Sequence, residues 1–192
     1  YSLPTSSPVS EGGVLYDNWM KSLGLDALTD NQPLWATQTT NTRTGADTWR
    51  CKECHGWDYK GAEGRYSSGS HATGFKGTFD SASLSTEEIV AWLNGAKNPD
   101  HNFSAYMEDA QFQMLAAFIQ QGQVVTTPFI NADKTVNGDP AKGKALFDAV
   151  CSRCHGDSGK TLNFGDEAAP EFVGTLAADN PWEFFHKVAN GQ

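Results

Sequence analysis

Apolar and polar residues along this chain follow the period of amphipathic helices. Residues 12–17 carry a Leu-Tyr pair on one face and predict an early helix. Residues 85–95 begin with a Ser-x-x-Glu capping box and end in Asn-Gly, which predicts a second helix with both ends marked. Residues 109–120 predict a third helix, whose apolar face consists of Phe112, Leu115, Ala116 and Ile119. These patterns predict an all-α fold.

The pattern repeats in the second half of the chain. Three pairs of segments correspond: 12–17 with 143–148, 75–79 with 172–176, and 85–95 with 181–191. In each copy the first segment predicts a helix whose Leu-aromatic pair faces inward, and the last segment predicts a helix that ends at Asn-Gly. Nothing in the second copy corresponds to residues 109–120. We therefore predict two helical domains in tandem, with the second one truncated.

Domain boundaries follow from the repeat and from turn-forming residues. The first domain is predicted at residues 1–122, with an insertion at about 18–48, and the second at 139–192. Residues 123–138 are predicted to be a linker, since they contain a proline and end in Asn-Gly. The insertion is polar and aromatic, and we expect it to wrap the first domain as a loop. Shielding of a cofactor, or a docking surface, is the alternative role.

All four cysteines lie in two Cys-x-x-Cys-His motifs, Cys51–His55 and Cys151–His155. This spacing lets two thiols add to the two vinyl groups of one haem while the next imidazole binds the iron. A redox dithiol or half of a zinc site also uses Cys-x-x-Cys, but neither explains a histidine directly after both motifs. We predict two covalent haem c groups, haem 1 and haem 2. The attachment and proximal residues are Cys51, Cys54 and His55, then Cys151, Cys154 and His155.

Composition and charge narrow the class of protein. Hydrophobic residues make up 39% of the chain, which is low for two domains unless large apolar cofactors fill the cores. The formal net charge of −9 disfavours nucleic acid as a partner, because phosphate binding needs a basic face. An acidic surface instead suits docking on basic patches of other proteins. No apolar run reaches the roughly 18 residues of a transmembrane helix.

The start of the chain bears on its location. No signal peptide is visible, and Tyr1 opens a stretch rich in Ser and Pro. We interpret this as a mature chain from which an export signal has been removed. Covalent haem attachment of this kind takes place outside the cytoplasm. The expected location is therefore the periplasm or another extracytoplasmic compartment.

The helix before each motif, the motifs themselves and the helix ending in Leu115-Ala116-Ala117-Phe118-Ile119 together resemble class I cytochromes c. Their duplication is similar to the arrangement in dihaem cytochromes c, and the resemblance covers most of the chain. It implies a few α-helices wrapped around each haem, with one haem edge near the surface. It also implies electron transfer between proteins. A resemblance in fold identifies the architecture of a protein more firmly than its activity.

For haem 1 the candidates for the distal iron ligand are His71, His101, Met107 and Met114. In the family that the chain resembles, this ligand comes from the loop before the last helix. Counting back from Phe118 places His101 within a residue of that position, where the family usually has Met. Met107 is the next alternative, although it and Met114 fall at positions typical of core residues. His71, or an open iron, is the remaining possibility.

Haem 2 has fewer candidates, because residues 139–192 contain no methionine and only one spare histidine, His186. In the repeat His186 occupies the position of Val90, not that of His101. The counterpart of His101 would lie beyond Gln192. We therefore expect that the given sequence lacks the natural C-terminus and the distal ligand with it. The alternatives are that His186 turns inward as the ligand, or that haem 2 is five-coordinate.

Together these features predict an electron carrier that relays electrons between redox proteins, and not an enzyme. It would act free or as a subunit of a larger membrane-associated or periplasmic complex. The alternative is a dihaem oxidoreductase acting on a small sulfur or nitrogen compound, or on peroxide, at one open haem. Such an enzyme needs a vacant iron position and nearby acid or base groups.

Overall fold

The computed structural model describes residues 7–191, so Tyr1 and Gln192, on which the expectations about the chain ends rest, lie outside the described residues. Within residues 7–191 the chain is helical and has no strand, which confirms the all-α class. The helices are α1 (Pro8–Ser22), α2 (Cys51–His55), α3 (Thr86–Leu93), α4 (Asp109–Gln121), α5 (Pro140–Leu146), α6 (Ser152–His155), α7 (Val173–Asp179) and α8 (Pro181–Asn190). No helix in this part of the chain is both long and apolar enough to cross a membrane.

The chain divides into two compact units. Unit 1 comprises the residues up to Val124 together with those from His186 onward, and unit 2 comprises Val125–Phe185. The first boundary lies at the start of the predicted linker. The second lies inside α8, where the sequence indicates no boundary.

The core of unit 1 is built on the contact between α1 and α4. Ser7 caps the start of α1, since its hydroxyl accepts a hydrogen bond from the Ser10 backbone N–H at 3.2 Å. A Cβ atom at Gly12 would lie 2.0 Å from the Met114 carbonyl oxygen, so glycine lets the two backbones touch. Large side chains of both helices are buried around this contact: Leu15, Tyr16, Trp19, Phe112, Leu115 and Phe118. Their removal from water stabilises the crossing.

The predicted capping box is present at the start of α3. The Ser85 backbone N–H donates to Glu88 Oε2 at 2.9 Å, and the Glu88 backbone N–H donates to Ser85 Oγ at 3.3 Å. The helix ends where predicted, because Gly95 adopts the left-handed region with a φ of +81°. The loop that contains His101 therefore begins directly after α3.

The insertion differs from the predicted loop over its first residues, because α1 continues to Ser22. The rest consists of irregular chain and two 3-10 turns, Pro33–Thr37 and Gly45–Trp49. Trp35, Asn41 and Thr48 are buried. This part of the insertion therefore packs into unit 1 and is not a solvated excursion.

Two repeated segments take different structures in the two copies. Leu15 is 2% exposed, whereas its counterpart Leu146 is 67% exposed, so the prediction that this Leu faces inward is wrong for the second copy. The described part of unit 2 has no helix that covers α5 as α4 covers α1. In addition, residues 75–79 are mostly irregular chain with a bridge from Gly61 to Lys76, whereas residues 172–176 begin α7.

Candidate functional site

Unit 1 contains an apolar cavity of about 350 Å³, which is within the size range of small-molecule and cofactor pockets. It lies where α2, α3, α4 and the loop after α3 converge. Its lining includes Cys51, Cys54, His55, Trp92, His101, Phe103, Leu115 and Ile119. The first Cys-x-x-Cys-His motif therefore opens onto a cavity whose walls are predominantly apolar.

Helix α2 presents both cysteines of the motif to this cavity. Cys51 and Cys54 are three residues apart, which places them on the same side of a helix. Burial raises the pKa of each thiol to about 12. Both thiols are thus neutral near pH 7 in the absence of a metal, and neither has the thiolate character of a reactive redox dithiol. The two thiols therefore lie beside the apolar cavity without the activation of a redox pair.

His55 is oriented by its own backbone surroundings. Its Nδ1 donates to the Lys76 carbonyl oxygen at 2.6 Å, so Nε2 keeps the free lone pair. Burial, and then the charge of His101, lower the pKa of His55 to about 4. The imidazole is therefore neutral near pH 7. A neutral imidazole with Nδ1–H bound to a carbonyl is the form in which histidine ligates metals.

The Lys76 carbonyl is held in place by a close approach of two loops. A Cβ atom at Gly61 would lie 2.5 Å from the Phe75 carbonyl oxygen, and Gly61 has a φ of +53°. The Gly61 backbone N–H also donates to the His55 carbonyl oxygen at 2.8 Å. Gly61 therefore links the motif to the segment that orients His55.

His101 lies on the opposite wall and is oriented in the same way. Its Nδ1 donates to the Trp92 carbonyl oxygen at 2.9 Å, which leaves Nε2 with the free lone pair, and burial lowers its pKa. The ring centroids of His55 and His101 are 6.2 Å apart. Imidazole nitrogens bind first-row metals at about 2 Å, so two rings on opposite sides of one ion have centroids roughly 6 Å apart. Two histidines and two cysteines around an apolar cavity therefore fit a haem c.

A buried carboxylate lies between the two cysteines, and the sequence analysis did not identify it. Glu53 is fully buried, and its Oε1 accepts hydrogen bonds from Asn41 Nδ2 at 2.8 Å and from His71 Nδ1 at 2.9 Å. Lys52 Nζ lies 2.8 Å from Oε2, and Arg43 Nε lies 3.3 Å from Oε1. Burial alone would raise the pKa of Glu53, but these partners outweigh it and hold the pKa far below its usual range. Two of the partners come from the insertion.

The other distal candidates in unit 1 lie away from the cavity. Met107 is buried in the hydrophobic core and is not among the residues that line the cavity, and Met114 packs at the α1–α4 contact. His71 uses both ring nitrogens: Nδ1 donates to Glu53, and Nε2 accepts from Arg43 Nη2 at 3.0 Å. Among these candidates, His101 alone is brought opposite His55.

His186 is fully buried in unit 1. Its Nε2 donates to the Gly13 carbonyl oxygen at 2.9 Å, so its Nδ1 accepts the hydrogen bond from the Tyr59 hydroxyl at 2.8 Å. Both nitrogens are occupied, and the ring packs against the rings of Trp57 and Phe118. Because both nitrogens are hydrogen-bonded, this arrangement disfavours His186 as an iron ligand.

The second motif repeats the local backbone of the first. The Gly56 and Gly156 backbone N–H groups each donate to the carbonyl four residues back, and both glycines have positive φ, +79° and +73°. The Thr161 N–H donates to the His155 carbonyl oxygen at 2.9 Å, as Gly61 does to His55. Cys151 and Cys154 are exposed. The same residue types in the same local geometry fit a second attachment site.

The surroundings of the two proximal histidines differ. His155 Nδ1 is buried and has no hydrogen-bond partner in residues 7–191, whereas His55 Nδ1 is bound to a carbonyl. The Phe164 ring lies 5.8 Å from the His155 ring. An imidazole nitrogen without a partner leaves His155 without the orientation that His55 has.

Residues 138–192 match the model of the family described as cytochrome c oxidase, cbb3-type, subunit III. No curated protein and no solved structure gives a significant match to the chain. The matched residues contain the second motif, whereas the cavity of unit 1 lies outside them. The match supports a c-type cytochrome with covalent haem, and an electron-transfer role for it.

Proposed function

We propose that the chain is an electron-transfer protein with two covalently bound haem c groups, one at each Cys-x-x-Cys-His motif, in tandem cytochrome c-like domains. The observation that carries the proposal is the pair His55 and His101, which face each other across an apolar cavity beside Cys51 and Cys54. The family match at residues 138–192 supports the second motif independently.

The residues of unit 1 have distinct tasks in this function. Cys51 and Cys54 would attach the haem, and His55 and His101 would bind its iron. A bound haem c supplies a one-electron iron couple. The carbonyls of Lys76 and Trp92 accept hydrogen bonds from the two imidazoles, which fixes the orientation of both rings.

In unit 2, Cys151 and Cys154 attach haem 2, and His155 is its proximal ligand. The partners are redox proteins, which the chain meets free or within a larger membrane-associated or periplasmic complex. The net charge of −9 supports docking on basic surfaces. Covalent haem attachment supports an extracytoplasmic location.

Counting haems tests the proposal. The protein is produced with a c-type haem maturation system, and haem per chain is measured as the pyridine haemochrome. Two haems per chain are expected. The double variant Cys51→Ala, Cys54→Ala and the double variant Cys151→Ala, Cys154→Ala should each retain one. A single haem in the unmodified protein would contradict the proposal.

The alternative, a dihaem oxidoreductase with one open haem, is addressed by ligand binding. His155 Nδ1 has no hydrogen-bond partner in the described residues, and this favours haem 2 as the open haem. A proximal histidine without that hydrogen bond is less firmly oriented, which suits an iron that changes its coordination. Carbon monoxide is added to the reduced protein and the visible spectrum is recorded. Two haems that ignore carbon monoxide would exclude this enzyme, whereas binding at one haem would support it.

A further inference from the structure

Gln32 connects the insertion to the loop that carries His101. Its Nε2 donates to the Asp100 carbonyl oxygen at 2.6 Å, one residue before His101. Gln32 is 4% exposed and is among the residues that line the cavity. A side-chain amide that is hydrogen-bonded to the backbone next to a distal ligand can hold that ligand in position.

Gln32 is itself held on two sides. Its backbone N–H donates to Thr48 Oγ1 at 2.9 Å, and its Oε1 accepts from the Leu34 N–H at 2.7 Å. The Thr48 hydroxyl donates to the Gly45 carbonyl oxygen at 2.7 Å. The Trp49 indole N–H donates to the Asp30 carbonyl oxygen at 2.8 Å. The side chain of Gln32 therefore projects from a braced segment and not from a free loop.

The loop with His101 is held from the other side by the end of α3. His101 Nδ1 donates to the Trp92 carbonyl, and the Phe103 N–H donates to the Leu93 carbonyl oxygen at 2.9 Å. These bonds hold His101 and Phe103, but they do not involve Asp100. Gln32 supplies a contact to Asp100 from a segment far away in the sequence.

We propose that Gln32 is a positioning residue for His101: its hydrogen bond to the Asp100 carbonyl keeps the distal imidazole on the iron and excludes small external ligands. The proposal rests on the proposed function, in which His101 is the distal ligand of haem 1. The insertion then has a task, which is to make haem 1 a closed, six-coordinate site.

The test is the rate of cyanide binding to the oxidised holoprotein, because cyanide enters only when the distal imidazole leaves. Gln32→Leu removes the amide at similar volume, and Gln32→Asn keeps an amide that is too short to reach. The matched control is Gln38→Leu. Gln38 lies in the same insertion, and its Nε2 likewise donates to a backbone carbonyl, that of Asn41, at 2.8 Å. His101→Ala identifies the kinetic phase of haem 1.

We expect the haem 1 phase to be about tenfold faster in both Gln32 variants, which corresponds to one buried hydrogen bond. It should change less than about twofold in Gln38→Leu, where no contact to the His101 loop is lost. Amide hydrogen exchange of residues 98–103 gives a second readout, and it should accelerate only in the Gln32 variants. Equal cyanide rates in Gln32→Leu and Gln38→Leu would overturn the positioning role. If His101→Ala bound cyanide no faster than the unmodified protein, the result would contradict the proposed coordination by His101 and not the positioning role of Gln32.

Discussion

The imidazole rings of His55 and His101 face each other with their centroids 6.2 Å apart and their planes at 70°. Each Nδ1 donates to a backbone carbonyl, that of Lys76 or that of Trp92. Neither ring can rotate without breaking its bond. Both rings are therefore held in fixed orientations, and the consequences of the proposed coordination can be measured.

Replacing the distal imidazole should change the reduction potential of haem 1. A His/Met pair stabilises ferric iron less than two histidines do, so His101→Met should raise the potential by on the order of 100 mV. A spectroelectrochemical titration measures it. Met107→Leu is the control, because Met107 is buried in the core away from the cavity lining, and it should leave both potentials unchanged. A shift in Met107→Leu and none in His101→Met would reverse the assignment.

The contact between α1 and α4 predicts a strong effect of one added methyl group. Gly12→Ala places a Cβ against the Met114 carbonyl and should lower the free energy of unfolding by about 2 kcal/mol or more. Gly143 is the counterpart of Gly12 in the repeat, and a Cβ there meets nothing within 4 Å. Gly143→Ala should therefore be neutral or stabilising by up to about 1 kcal/mol, since alanine favours helix.

Urea unfolding followed by far-ultraviolet circular dichroism measures both glycine variants, because both units contain helices and contribute to the signal. Equal losses of stability at Gly12 and Gly143 would mean that the α1–α4 contact is not as close as described.

The carboxylate between the first two cysteines should be essential for stability. Glu53→Gln removes a buried charge while Lys52 and Arg43 remain beside it, and we expect a loss of about 3 kcal/mol. The counterpart in the second motif is Arg153, which is exposed. Arg153→Gln should change stability by less than about 0.5 kcal/mol. The same urea titration compares them, and a loss no larger at Glu53 than at Arg153 would contradict this account.

The hydrogen bond between Tyr59 and His186 should also be measurable. Tyr59→Phe leaves the ring in place and removes the hydroxyl, so His186 Nδ1 loses its donor inside a buried cluster. We expect unit 1 to lose about 1–2 kcal/mol of stability. Haem content and both potentials should stay the same, because the proposed function assigns His186 no role as an iron ligand. A change in the spectrum of either haem would instead return His186 to the list of ligands.

The sequence by itself determined the features whose cause is local. The capping box of α3, the C-terminal signal at Gly95 and the helical period of α4 depend on residues within a turn or two of one another, and the structure has all three. The spacing of the Cys-x-x-Cys-His motifs is local in the same sense. The resemblance to class I cytochromes c, applied by counting back from Phe118, also pointed to His101, and the structure places it opposite His55.

Other features were decided only by tertiary structure, because they depend on residues far apart in the chain. Three partners of Glu53 come from residues 41–43 and 71, and no local sequence pattern predicts that these residues contact Glu53. The two ring nitrogens of His186 form hydrogen bonds with Tyr59 and Gly13, which are 127 and 173 residues away in the sequence. Leu146 has the sequence signal of Leu15 but lies exposed, since burial requires a second helix and not only an amphipathic first one. Local signals specified the ends of α3 and the period of α4, whereas long-range packing decides what the side chains of the helices contact.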